Sequence, residues 1–116
     1  MILRLLMAVS AAAVLGACQT AARPATLETE GAEEVETLRR VLAEALGRGR
    51  VELGAGDLTR DSVISVLPPP PTPLEGNSPA MPELFDLLLT PEGCFVRRQS
   101  TDEMFALPGV SCRAVQ

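Results

Sequence analysis

The chain has 116 residues and a formal net charge of −5 at pH 7, which indicates one small acidic domain. This acidity argues against nucleic acid as a partner and against electrostatic docking on anionic lipid, because both require clustered positive charge. The absence of His and Lys excludes Ser-His, Cys-His and Ser-Lys nucleophile pairs and most catalytic zinc sites. With no Tyr or Trp, an aromatic platform for sugars or bases is not expected either.

The N-terminus has the pattern of an export signal. One positive charge, Arg4, precedes an apolar run from Leu5 to Leu15 that only Ser10 interrupts. Eleven residues are too few to span a bilayer, which takes about 20, but they match the apolar region of a signal peptide. We therefore assign residues 1–17 to a signal peptide.

The run ends in Leu15-Gly16-Ala17-Cys18. This segment resembles the lipobox of bacterial lipoproteins, in which small residues precede the modified cysteine. The resemblance implies cleavage after Ala17, diacylglycerol on the Cys18 sulfur and acylation of the new N-terminus, with palmitate expected as the acyl chain. An ordinary signal peptide with a chance cysteine, or an uncleaved anchor, is the alternative.

Several acyl chains together give stable membrane attachment, whereas one alone is marginal. Gln19 follows the cysteine, where the sorting rule of enteric bacteria places Asp for retention in the inner membrane. Gln19 therefore favours the outer membrane, facing the periplasm. Loss of residues 1–17 removes Arg4 and leaves 99 residues with a net charge of −6.

Residues 18–31 are small, polar and acidic and include Pro24. This composition predicts a flexible tether that spans about 20 Å as a coil. The remaining residues, 32–116, are assigned to a small periplasmic domain.

Residues 32–47 give the clearest pattern, that of an amphipathic helix. Its apolar face comprises Val35, Leu38, Leu42, Ala45 and Leu46. The opposite face carries charges four residues apart, an arrangement that predicts successive ion pairs: Glu36, Arg40, Glu44 and Arg48. Gly47 and Gly49 are stop signals. The charged face is interpreted as a solvated surface, with a partner surface as the alternative.

The rest of the chain reads as short strands and turns. A brief strand is predicted at residues 50–53, a β-branched strand at 62–67 and a further strand at 84–89, where a short helix is the alternative. Residues 94–99 and 104–107 predict a hairpin, and 112–115 a last strand. The fold class is therefore α+β, with one amphipathic helix packed on a mostly antiparallel sheet of four or five short strands.

A proline-rich loop is predicted at residues 68–82, because Pro68 to Pro71 cannot pair in a sheet and favour polyproline II. The main interpretation is a stiff connector. A ligand for an aromatic groove, or a loop that inserts into an enzyme cleft, are the alternatives.

Two cysteines remain when Cys18 is lipidated. Cys94 and Cys112 allow one pairing, which an oxidising compartment favours. The loop of 17 intervening residues would contribute about 3 kcal/mol to stability in the chain-entropy treatment. Two buried free thiols are the alternative.

Few residues suggest chemistry. Asp57 and Asp61 lie four apart and could act as an acid–base pair or bind a hard cation, but a solvated turn is the simpler interpretation. Arg97 and Arg98 should point to opposite faces of a strand, one exposed and the other paired with a carboxylate. We expect no catalytic residue, no cofactor and no metal.

These observations lead to three hypotheses about function. The first is a non-enzymatic envelope lipoprotein, anchored through Cys18, that serves as an accessory or scaffold domain and binds another envelope protein. The second is a lipid-anchored inhibitor of a periplasmic enzyme that uses the proline-rich loop. The third is an enzyme that uses carboxylates such as Asp57, Asp61 or Glu92, and a carrier of a small or lipidic ligand is a further alternative.

Overall fold

A computed structural model of the chain describes residues 22–69 and 81–115. The elements are β1 (Arg23–Leu27), α1 (Ala32–Leu46), β2 (Val63–Val66), β3 (Glu83–Thr90), β4 (Gly93–Arg98), β5 (Met104–Ala106) and β6 (Cys112–Ala114). One helix packs on an antiparallel sheet, so the α+β prediction is confirmed, with six strands rather than four or five.

The helix α1 begins and ends where the sequence predicts. Its core side is formed by Leu38, Val41, Leu42 and Ala43, which are buried, and Glu33 and Glu34 occupy the first turn, where the helix dipole favours acidic groups. The chain leaves the helix through Gly47, whose φ of 67° is in the left-handed region and whose N–H bonds to the carbonyls of Ala43 and Glu44.

The predicted ladder of ion pairs along the helix is wrong. Among the described residues, none of the ion pairs joins two members of the series Glu36, Arg40, Glu44 and Arg48. Arg48 instead donates from Nη1 to the carbonyl of Leu67 at 3.0 Å. Because this contact lies at the end of β2, it fastens the helix end to the sheet.

The strand order is β5-β4-β3-β1-β6, and β2 also pairs with β3. The long strand β3 pairs with β4 along one edge, and its other edge is shared by β2 at the first half and β1 at the second. β1 then continues as the partner of β6. The predicted hairpin between β4 and β5 is confirmed, and β3 and β4 form a second hairpin. The strand prediction for 84–89 holds over its helical alternative.

The strand predicted at residues 50–53 is reduced to a single bridge. Leu53 pairs with Val66, and the Leu67 N–H donates to the Glu52 carbonyl at 2.9 Å. The segment therefore extends the sheet beyond β2 by only one short contact.

The prediction of a flexible tether over residues 18–31 is wrong for its central part, because Arg23–Leu27 form β1. Ala25 and Leu27 are fully buried, and the Leu27 N–H donates to the Leu58 carbonyl at 2.8 Å. These alternating apolar positions, short as they are, place the strand in the core. Residues 18–21 lie outside the described part.

The core lies between α1 and one face of the sheet. Its largest fully buried side chains come from both layers: Leu27, Leu38, Leu42, Ile64, Phe85 and Leu87. In β3 the expected alternation is observed, with Phe85 and Leu87 buried and Leu89 partly buried against the core. This face is called the core face below.

Candidate functional site

The predicted lipidation residue Cys18 and the predicted cleavage position after Ala17 lie outside the described residues. The first described strand, β1, shows where the chain enters the sheet. Arg23 pairs with Leu89, and Pro24 with Leu88, next to the β3–β4 turn at Thr90–Gly93. We call this end of the sheet the anchor end.

The disulfide predicted between Cys94 and Cys112 is present, with a Cα–Cα distance of 6.1 Å. Cys94 lies in β4 opposite Leu89, whereas Cys112 lies in β6 opposite Leu27. The bond therefore joins two strands that are not neighbours in the sheet order. It holds the β1–β6 pair against the β3–β4 pair and so closes the curled sheet over the core.

The two ends of the proline-rich loop are fixed side by side at the opposite end of the sheet, which we call the loop end. Val66 pairs with Glu83, so residues 67–82 connect two neighbouring strands. Leu67 is held by the hydrogen bonds to Glu52 and Arg48, and Met81 is exposed over 83% of its surface. Pro68 and Pro69 are unpaired, in agreement with the prediction, and residues 70–80 lie outside the described part.

Asp57 and Asp61 shape a turn. An Asp57 oxygen accepts hydrogen bonds from the N–H and the hydroxyl of Thr59, which lower the pKa of this carboxyl. The Asp61 carboxylate accepts from the Asp57 N–H at 3.2 Å. Both carboxylates are thus committed to the local backbone, as the interpretation of a turn predicts.

The sequence predicts that one of Arg97 and Arg98 is exposed and that the other pairs with a carboxylate; both form ion pairs across the β3–β4 hairpin, and Arg97 is the more exposed of the two. Arg97 lies opposite Asp86 and bonds to it at 2.6 Å; Arg98 reaches Glu83 at 3.1 Å. The two side chains do point to opposite faces, as predicted. Hydrogen bonds from Arg98 and from the Ser100 hydroxyl lower the pKa of the Glu83 carboxyl.

The face of the sheet away from α1 carries several exposed apolar side chains among its polar ones. Strand alternation defines this face, which we call the outer face, by the following residues: Pro24, Thr26, Val63, Ser65, Leu84, Asp86, Leu88, Thr90, Phe95, Arg97, Met104, Ala106 and Arg113. Val63 and Met104 are 46% and 41% exposed. The free face of an antiparallel sheet is normally polar, so this surface is a candidate for binding.

Sequence reasoning missed the outer face. The available signal is the run Leu87-Leu88-Leu89, which breaks the alternation expected of a strand with one solvated side. Because three consecutive leucines also suit a strand buried on both sides, the run alone does not reveal an exposed face.

Open grooves lie beside the start of the helix and beyond its end. One, of about 230 Å³, lies between the start of α1 and the 53–58 segment, where Glu30 accepts a hydrogen bond from the Leu58 N–H. The other, of about 520 Å³, lies beside Arg50 and Leu67. In residues 22–69 and 81–115, no cluster of three or more His, Cys, Asp or Glu side chains suits a metal ion.

Over the same ranges, the helix is neither long nor apolar enough to cross a bilayer. No protein family model, curated protein or solved structure matches the chain.

Proposed function

We propose that this chain is a non-enzymatic lipoprotein of the bacterial cell envelope, anchored through Cys18 and facing the periplasm from the outer membrane, whose domain serves as an accessory or scaffold subunit for another envelope protein. The observation that carries this proposal is the position of β1. The strand β1 begins at Arg23, and only residues 19–22 separate that position from the lipobox cysteine.

The reach of this linker is short. Five Cα–Cα steps from Cys18 to Arg23 span at most about 18 Å when fully extended. The headgroup layer takes about 6 Å of that distance, given a bilayer of about 42 Å with a hydrocarbon core of about 30 Å. The anchor end of the domain therefore stays within about 12 Å of the membrane surface, which suits a subunit that works on a membrane-bound partner.

The loop end is the surface that supports partner binding. From Leu89 to Glu83 the strand β3 runs for six steps, or about 20 Å, away from the anchor end. Exposed apolar side chains, Leu67 and Met81, lie at this end beside Pro68 and Pro69. An anchored domain would present these groups toward the periplasm.

The same geometry favours one second candidate, a lipid-anchored inhibitor of a periplasmic enzyme. Inhibitory loops require a rigid base, and the pairing of Val66 with Glu83 fixes both ends of the 67–82 segment. Residues 70–80 would then be the inserting element.

Affinity capture from cross-linked envelopes tests the proposal. The full chain carries a C-terminal tag, and we expect one envelope protein in near-stoichiometric amount, which Cys18→Ser abolishes. Met81→Glu at the loop end should also reduce capture, whereas Val115→Glu near the anchor end is the matched control. Recovery of a soluble periplasmic enzyme would favour the inhibitor, and no enrichment of any protein by a folded, lipidated chain would contradict both candidates.

A further inference from the structure

The outer face has a pattern that a second copy of itself would complement. Across the neighbouring strands β2, β3, β4 and β5, register places Val63, Asp86, Arg97 and Met104 in one row. The row is thus apolar, acidic, basic, apolar. The next row toward the anchor end, formed by Pro24, Leu88, Phe95 and Ala106, is apolar throughout.

We propose that the outer face is a homodimer interface, on which a second copy packs face to face about a twofold axis that runs along the strands, between β3 and β4. This axis reverses the order of each row. Val63 then faces Met104 of the second copy, and Asp86 faces Arg97 of the second copy. In the apolar row, Pro24 faces Ala106. Leu88 lies opposite Phe95, but it is only 4% exposed in one copy, so it forms the floor of this row and adds little new contact.

The charges select this axis. A twofold axis across the strands and through this row would place Asp86 on Asp86 and Arg97 on Arg97, and like charges at close range are repulsive. Along the strands, each ion pair of one copy meets its opposite in the other, so four charges alternate in sign. Self-complementarity of this kind is what a twofold interface requires.

The position of the chain start points to the same axis, in an argument that rests on the proposed anchoring. A twofold axis along the strands leaves the two anchor ends side by side, so both short linkers reach one membrane. The axis across the strands would separate the two anchor ends to opposite ends of the dimer, which linkers of at most about 18 Å do not readily bridge.

The area of the face predicts a weak dimer. A third row, toward the loop end, contains Ser65 and Leu84. Four strands about 4.8 Å apart and three rows about 7 Å apart cover roughly 400 Å² per copy, half of the roughly 800 Å² per partner that stable complexes bury. Confinement of anchored copies to one membrane raises their effective concentration and offsets this deficit. The dimer is therefore expected on the membrane.

The test uses two full-length, differently tagged copies expressed together, with a photoreactive benzophenone side chain at position 106. Illumination should give a product that contains both tags. Val63→Arg in both copies, or Met104→Glu in both copies, should reduce this product at least fivefold. Val63→Arg in one copy with Met104→Glu in the other should restore it, because the two new charges then face each other across the interface.

Ala32→Glu in both copies is the control, since it adds the same charge as Met104→Glu at an exposed position in the first turn of α1, on the opposite side of the sheet. This control should leave the product unchanged. Formation of the Cys94–Cys112 disulfide, measured by thiol alkylation, confirms that each variant has folded; the milder changes Val63→Thr and Met104→Gln replace any variant that fails, and each should lower the product.

Three results would overturn the homodimer: cross-links to a different protein in place of a second copy, cross-links to lipid alone, or failure of the mixed pair to restore the product. None of these depends on the partner capture described above. If a chain whose only change is Cys18→Ser stays in the membrane fraction, the proposed anchoring is contradicted. Restoration of the cross-linked product by the mixed pair tests the dimer independently of that result.

Discussion

Removal of the disulfide should have a large and calculable effect on stability. The bond closes a loop of 17 intervening residues between Cys94 and Cys112, and loss of such a constraint costs about 3 kcal/mol. A chain of about 100 residues loses about 4–8 °C in Tm for each kcal/mol. The Cys94→Ala/Cys112→Ala variant should therefore melt about 12–24 °C below the wild type.

The assay is thermal unfolding by circular dichroism, with Cys18→Ser in both proteins so that no third thiol interferes. The control is the Cys18→Ser protein with its disulfide chemically reduced. It should melt close to the double variant, because replacement of buried Cys94 by Ala removes only one sulfur atom besides the disulfide. If Tm falls by less than about 4 °C, this prediction is contradicted, because the packing of β6 on β1 would then be stable without the disulfide.

Three further predictions concern the fold and are measured by urea unfolding. Gly47→Ala should cost about 1 kcal/mol because φ is 67° there, whereas Gly49→Ala, which has open space and no positive φ, should be neutral or slightly stabilising; equal effects would contradict the assignment of the helix end. Leu27→Ala should lower the free energy of unfolding by about 2–5 kcal/mol. A decrease below about 0.5 kcal/mol would mean that β1 is a tether and not part of the core. Because the ion pair with Arg98 lowers the pKa of Glu83 in the folded state, its stabilisation is present above about pH 4.3 and is lost as the pH falls through the lower folded value; Glu83→Gln should thus cost about 1 kcal/mol at pH 7 and much less near pH 3, and a penalty that is constant with pH would argue against the pair.

Local patterns predict much of this fold. The helix at 32–46, the strand around Phe85 and the hairpin of β4 and β5 follow from apolar periodicity and turn residues. The disulfide follows from counting: with Cys18 assigned to the lipobox, two cysteines allow a single pairing.

The strand β1 could not be predicted in the same way. It has only two inward apolar residues, Ala25 and Leu27, and its neighbours are acidic, so composition favours a tether. Its partners β3 and β6 lie more than 60 residues away in sequence. Such nonlocal pairing leaves almost no local trace in the chain.

The sequence also did not predict which charged side chains pair with each other. The spacing of Glu36, Arg40, Glu44 and Arg48 predicts helical ion pairs, but such pairs contribute only tenths of a kcal/mol, and other contacts easily replace them. Arg97 and Arg98 find carboxylates on β3 because the hairpin register places Asp86 opposite Arg97, and that register is set by the turn.

The most direct test of the central claim is mass spectrometry of the N-terminal peptide of the mature protein, isolated from bacterial envelopes. We expect this peptide to begin at Cys18 and to carry a diacylglyceryl group on sulfur and an acyl chain on the amino group, with Arg23 only five residues further along. An uncleaved N-terminus, or a mature chain with an unmodified Cys18, would contradict the assignment of the protein as an anchored envelope lipoprotein.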